Sequence, residues 1–133
     1  MKILLVEDEV LIALEQQLYL ESVGHSVFGP AITAAEAFDL AVENKPDLAL
    51  VDIHLGMGSN GIDAARSLKT LGVPCLFITS FRDELKKDGP LTGIGCLPKP
   101  FTESGLLAAV DVARAVLAGE TPRNVPQTME LFV

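Results

Sequence analysis

Glu7, Asp8, Asp52, Thr79 and Lys99 are the residues of this chain with the types and the spacing to do chemistry. Each follows a short apolar run: Ile3–Val6 before Glu7 and Asp8, Leu48–Val51 before Asp52, Pro74–Ile78 before Thr79 and Ser80, and Gly95–Leu97 shortly before Lys99. Like charges raise one another's pKa, so three carboxylates in one place cannot all stay ionised cheaply. A hard divalent cation resolves the conflict. Mg²⁺ takes oxygen ligands and keeps waters, leaving room for phosphate oxygens. A carboxylate such as Asp52 can attack phosphorus and form an acyl phosphate. Catalysis would then be positioning and charge neutralisation, with Lys99 on one phosphoryl oxygen and the Thr79 hydroxyl on another.

For these groups to meet, the runs must be neighbouring strands of one sheet. Apolar runs alternate with helical patterns along the chain. Val10, Leu11, Leu14 and Leu18 recur at helical spacing after the first run, and Gly24 is a natural stop. Ser26 to Phe28 reads as a weak second strand. Thr33 and Glu36 form a capping box for a helix to about Glu43, ended by Pro46. A helix is expected from Ile62 to Leu71. A short polar one is expected from Arg82 to Asp88, stopped by Gly89-Pro90. Thr102 caps a last helix to about Leu117, with Phe101 and Leu106 as a hydrophobic staple. Runs apolar on both faces, joined by crossover helices, predict an α/β fold. The expectation is a flavodoxin-like (βα)5 doubly wound, five-stranded parallel sheet of order 2-1-3-4-5, with its site at the carboxyl ends of the strands. Strands one, three, four and five are contiguous in that order, while Gly29 and Pro30 end the second strand off to the side.

The bulk properties narrow the function. The chain has 133 residues, enough for one domain with a real core. Its 10 Lys plus Arg against 18 Asp plus Glu give a net charge of −8, which disfavours direct nucleic-acid binding. Glu7-Asp8-Glu9 cuts the first apolar run too short for a signal peptide, and no stretch approaches a membrane span. The cytoplasm is the expected address. Cys75 and Cys96 lie in apolar runs and read as reduced core residues. Residues 1–119 are expected to form the domain. The tail, 120–133, contains Pro122 and Pro126 and stays unassigned; its apolar end at Met129, Leu131, Phe132 and Val133 could dock on a surface, but a frayed terminus is expected.

Each candidate has an ordinary alternative. Glu7 and Asp8 could complement a helix dipole, Asp52 could cap a turn, and Thr79 or Ser80 could cap a helix. Lys99 could be a surface lysine, although Pro98 and Pro100 fix its backbone. Their convergence on one rim favours the shared site. His25 and His54 read as surface or structural residues, with His54 close enough to Asp52 to influence water access. Gly56-Met57-Gly58-Ser59-Asn60-Gly61 matches the dinucleotide pattern G-x-G-x-x-G by letter only. It follows the third run rather than the first, and the next run ends in Thr79-Ser80 with no acid for a ribose.

In the stretches Ile3-Leu4-Leu5-Val6-Glu7-Asp8-Glu9, Asp47-Leu48-Ala49-Leu50-Val51-Asp52, Phe77-Ile78-Thr79-Ser80 and Leu97-Pro98-Lys99-Pro100-Phe101, the chain resembles the response-regulator receiver family from about Lys2 to Gly119. The resemblance implies Asp52 as phosphoacceptor and Glu7 and Asp8 as the acidic pair. It implies that the main-chain carbonyl of His54 completes a Mg²⁺ site, that Thr79 is the switch hydroxyl, and that Lys99 pairs with the phosphoryl group. It also implies a cis Lys99–Pro100 bond. Three departures stand out. Cys96 occupies the place of the usual aromatic switch, Gly56 that of a common proline, and the fourth helix is broken by Gly89-Pro90. Phe81 could take over part of the gating.

The expected function is a single-domain response regulator. It would take phosphate from a phosphohistidine on a sensor histidine kinase or a histidine phosphotransfer protein, and would gain and lose the phosphoryl group without turning over an external substrate. The residues after Gly119 are too few for an output domain, so output is expected through a downstream protein target or a homodimer, on the face of the fourth helix, fifth strand and fifth helix. Two alternatives remain. A pseudo-receiver would dock partners without phosphorylation. A Mg²⁺-dependent aspartyl phosphatase would need a general acid where His54 stands.

Overall fold

Strand β1, Lys2–Val6, opens the fold and is buried from Ile3 onward. A computed structural model describes residues 1–132; Val133 lies outside the described residues. The further elements are α1 (Val10–Ser22), β2 (Ser26–Ala31), α2 (Ala34–Asn44), β3 (Leu48–Val51), α3 (Gly61–Thr70), β4 (Cys75–Thr79), α4 (Gly89–Thr92), β5 (Gly95–Pro98), α5 (Glu103–Leu117) and β6 (Glu130–Leu131). The sheet order is β2-β1-β3-β4-β5-β6. The first five strands are parallel, as expected for a flavodoxin-like sheet.

Successive side chains of a strand point to opposite faces, and here both faces are covered. Leu4, Val6, Ala49, Val51, Cys75 and Phe77 pack with α2 and α3 residues such as Ala37, Ala41, Ala65 and Leu68. Ile3, Leu5, Leu48, Leu50, Leu76 and Ile78 pack with Leu20 of α1 and with Leu106, Ala109, Val110 and Ala113 of α5. The caps at Thr33 and Thr102 form: their hydroxyls accept the Glu36 and Gly105 N–H groups at 3.2 and 3.0 Å.

Three expectations are corrected. The sheet has six strands rather than five, because residues 130–131 pair antiparallel with β5. The end of the chain is therefore docked rather than frayed as far as Phe132. Two of its apolar residues contribute: Met129 is buried, and Leu131 packs against the α5 side of the core. Strand β2 runs to Ala31, beyond Phe28, because an irregularity between its pairings to Leu4 and Val6 lets it resume after Gly29-Pro30. Gly89-Pro90 starts a helical turn instead of stopping one, with Pro90 where no N–H is needed; Arg82–Leu85 forms a separate 3-10 turn before it.

The spacing leaves open which side of α1 turns inward. Val10, Leu11, Leu14 and Leu18, which mark the helix by their spacing, face solvent, whereas Ala13, Gln16 and Leu20 face the core. Apolar residues occur on both faces of this helix, so spacing identifies the helix without saying which side turns inward. Among the described residues no helix is long and apolar enough to cross a membrane.

Candidate functional site

Parallel pairing in register brings the carboxyl ends of β1, β3, β4 and β5 to one rim. Val6 lies beside Val51, Val51 beside Phe77, and Thr79 beside Pro98. The residues that follow these ends are therefore neighbours, although they are far apart in sequence.

Backbone bonds fix each one. The Glu7 N–H donates to the Ala31 carbonyl at 2.9 Å, so the extension of β2 past its irregularity is what anchors the acidic end of β1. The Asp52 N–H donates to the Val6 carbonyl at 2.9 Å, and the Lys99 N–H to the Thr79 carbonyl at 3.1 Å. The loop after Asp52 folds back on itself. The Gly61 N–H donates to the Ile53 carbonyl at 2.6 Å, and a Cβ at Gly61 would collide with the Asp52 carbonyl oxygen. The glycine pattern at 56–61 thus serves a tight turn. Its last glycine lets α3 start against the backbone of Asp52, after Asn60 caps the Ile62 N–H at 2.7 Å.

Lys99 is the hub of the site. Its ammonium donates to Glu7 Oε1 at 2.5 Å and to Asp52 Oδ2 at 3.0 Å, and lies 3.7 Å from Glu9 Oε1. The other Asp52 oxygen, Oδ1, accepts the Ile53 N–H at 2.8 Å. Glu7 and Asp52 are buried, and the Lys99 side chain is only 7% exposed. Burial disfavours the charged form of Glu7 and repulsion from Asp52 adds to it. Together these outweigh the opposing Lys99 hydrogen bond and push the carboxyl up to about 7. Burial alone would lower the Lys99 ammonium, but its bonds to Glu7 and Asp52 more than offset that and leave it raised.

Glu7, Asp8 and Asp52 each place a carboxylate oxygen within 4.8 Å of the others. Among the described residues, Glu7 Oε2 is buried and has no hydrogen-bond partner. An all-oxygen donor set, with one buried oxygen unpaired and an excess of negative charge, fits a hard divalent cation such as Mg²⁺.

Thr79 is buried, and its hydroxyl accepts the Phe81 N–H at 3.0 Å. His54 is exposed beside the site. Its ring stacks on Phe81 with centroids 3.8 Å apart and 6° between planes, and its Nε2 lies 2.8 Å from Glu84 Oε2. The Lys99–Pro100 bond is cis. His25 lies away from the rim, with Nδ1 at 3.0 Å from the N-terminal amine. Cys75 and Cys96 are free and buried, and burial pushes their thiols up to about 12 and about 11, which suits unreactive core residues.

Sequence reasoning did not find two neighbours of the site. Glu9 completes the acidic ring around Lys99, and the run Glu7-Asp8-Glu9 was a signal for it. Glu84 has no such signal, since its partner His54 is 30 residues away.

Known proteins resemble this chain in sequence and fold. The family model of the response regulator receiver domain matches residues 3–111. The phyllosphere-induced regulator PhyR of Methylorubrum extorquens is 39% identical over 114 residues, covering 84% of this chain and 43% of that protein. The transcriptional regulatory protein PdtaR of Mycobacterium tuberculosis is 32% identical over 115 residues, covering 84% of this chain and 56% of its own. The chain thus spans about half the length of these curated relatives. The solution structure of the PhyR response regulator REC domain from Erythrobacter litoralis superposes with a TM-score of 0.76 at 32% identity, covering 95% of this chain and 94% of that one. The fold, the shared rim and these matches give one conclusion: the chain belongs to the response regulator receiver family.

Proposed function

We propose that this chain is a phosphorylation-controlled signalling module in which Asp52 accepts a phosphoryl group. The observation that carries the reading is the pairing of Lys99 with Asp52 and Glu7 at one buried rim, with Asp8 alongside. Residues 1–119 form the receiver unit in this reading, working in the cytoplasm. Glu7, Asp8, Asp52 and the main-chain carbonyl of His54 would hold Mg²⁺, which when bound neutralises charge on the phosphoryl oxygens.

The protein groups do the rest. Ile53 N–H and Lys99 hold the two Asp52 oxygens and so fix the plane of the carboxylate. An Asp52 oxygen forms a bond to phosphorus as the phosphorus–nitrogen bond of a phosphohistidine breaks, and the leaving imidazole is released to take a proton. Lys99 moves from the carboxylate to a phosphoryl oxygen, and the Thr79 hydroxyl turns from the Phe81 N–H to another. Water later cleaves the acyl phosphate.

The donor is a histidine kinase or phosphotransfer protein. The exposed stripe of Val10, Leu11, Leu14 and Leu18 begins right after the acidic residues, which suits docking of an apolar helix beside the site. Output goes to a protein target or a second copy.

Intact mass after incubation with Mg²⁺ and a small acyl-phosphate donor tests the reading. One phosphoryl group is expected on the wild type, and none on Asp52→Asn or without Mg²⁺. A wild type that binds Mg²⁺, gains no adduct and releases no phosphate from the donor would instead be a docking module that works without phosphorylation.

A further inference from the structure

Beyond α5 the chain turns back across the outer edge of the sheet. Leu131 lies opposite Gly95 and Glu130 opposite Cys96, and the Phe132 N–H donates to the Ile94 carbonyl at 3.0 Å. Strand alternation splits the segment between the two faces. Met129 and Leu131 pack into the cluster on the α5 side, while Phe132 packs against the cluster that contains Leu85. Glu130 Oε2 lies 3.5 Å from Arg82.

The receiving edge is shaped for an incoming backbone. A Cβ at Gly95 would lie 2.6 Å from the Glu130 carbonyl oxygen, so only glycine allows this approach. A Cβ at Gly89 would lie 3.2 Å from the Phe132 ring, so the absence of a side chain there makes room for the aromatic. What holds the segment is modest. It makes two strand pairings and inserts three apolar side chains. Its ion pair joins side chains about half exposed, which stabilises little. Residues 117–121 and 123–125, which lead to it, are exposed. Such an edge-strand contact opens more readily than the central strands.

We propose that the β5 edge is a docking groove for an extended segment of a partner protein, and that residues 129–132 are its internal occupant. The partner segment would pair antiparallel with β5 and carry the same pattern: apolar, acidic, apolar, aromatic. Its backbone would bond to β5, its acid would meet Arg82, and its flanking side chains would fill the positions of Met129, Leu131 and Phe132. Strand addition of this kind takes affinity from main-chain bonds and specificity from alternate side chains. The internal segment competes at an effective concentration of order millimolar, so the groove is closed until that segment is displaced. Arg82 starts the 3-10 turn right after Phe81, three residues beyond Thr79 at the end of β4, so the clasp on Glu130 adjoins the segment that follows the rim. The groove itself does not depend on phosphorylation.

The test is an NMR titration of the full chain with a peptide of residues 124–132. Wild type is compared with Leu131→Asp, which loosens the internal strand, and with Glu130→Arg, which turns the Arg82 pair repulsive at an exposed position. Thermal melting and circular dichroism verify the fold of each, and Glu130→Arg decides the matter if Leu131→Asp does not fold. The expected result is peptide binding at least ten-fold tighter in the loosened variants, with shifts centred on Gly95 and Cys96, and none with an L131D/F132D peptide. Binding no tighter than in wild type, shifts away from β5, or dimerisation by exchange of residues 129–132 in place of peptide binding would overturn the proposal.

Discussion

The imidazole of His54 lies flat on the ring of Phe81, with centroids 3.8 Å apart, two residues beyond Asp52 and two beyond Thr79. Glu84 holds the outer edge of the imidazole at 2.8 Å. In the proposed function this stack, which follows both Asp52 and Thr79 in the chain, limits the approach of water to a phosphorylated Asp52. Phe81→Ala is expected to shorten the lifetime of the aspartyl phosphate about five-fold, which corresponds to about 1 kcal/mol of barrier. Intact mass followed over time reads this directly, and an unchanged or longer lifetime contradicts it.

Lys99→Ala removes the cation shared by Glu7 and Asp52 and leaves two buried carboxylates facing each other. Loss of one partner from a buried ion pair costs about 3 kcal/mol. Denaturant unfolding without divalent cation should show that loss, and Mg²⁺ should restore part of it. The variant should still bind Mg²⁺ while failing to couple phosphorylation to output.

The raised Glu7 carboxyl makes the protein without Mg²⁺ sensitive to pH. Between about 4.5 and about 7 the folded protein keeps a proton on Glu7 that the unfolded chain has lost. The unfolded state binds fewer protons there, so the contribution of this group to stability falls as pH rises through that window. Glu7→Gln keeps the shape without the titration. It should be about 1–2 kcal/mol more stable than wild type above that window, with the difference shrinking toward pH 4.5. Parallel stability curves for the two proteins would rule this out.

Gly61→Ala places a methyl group against the Asp52 carbonyl oxygen. The clash is with backbone, so Asp52 or the start of α3 has to move. A loss of about 2 kcal/mol or more is expected, together with slower phosphorylation by the small donor. Wild-type stability and rate would show that the turn yields without disturbing the site.

The outward stripe of α1 separates a protein donor from a small one. Leu14→Asp with Leu18→Asp changes exposed positions, so stability should shift by no more than about 0.5 kcal/mol per site. Phosphotransfer from a histidine-containing protein should fall about ten-fold or more, equivalent to about 1.4 kcal/mol of lost docking. Phosphorylation by an acyl phosphate should not change; equal losses with both donors would place the effect in Asp52 chemistry instead.

The order of the five parallel strands and the meeting of Glu7, Asp8, Asp52, Thr79 and Lys99 were legible, because strands apolar on both faces force a parallel sheet whose carboxyl ends share one rim. The inward face of α1 was not legible. Ala13 and Gln16 carry no apolar signal, while Leu11 and Leu14 carry a strong one on the outside. Strand β6 was not legible either, since its two residues owe their conformation to the β5 edge and not to their own pattern. The stack of His54 on Phe81 depends on the path of two loops, which spacing along the chain does not encode.

Lys99 bonds to groups 92 and 47 residues before it. A chain emerging from the ribosome therefore presents Glu7, Asp8 and Asp52 well before their counter-charge exists. β1 and β3 can pair in that interval only by bringing three carboxyl groups together without their ammonium partner. Completion of the rim is thus tied to the emergence of β5, and a divalent cation present during synthesis would do for the nascent chain what Lys99 does for the finished one.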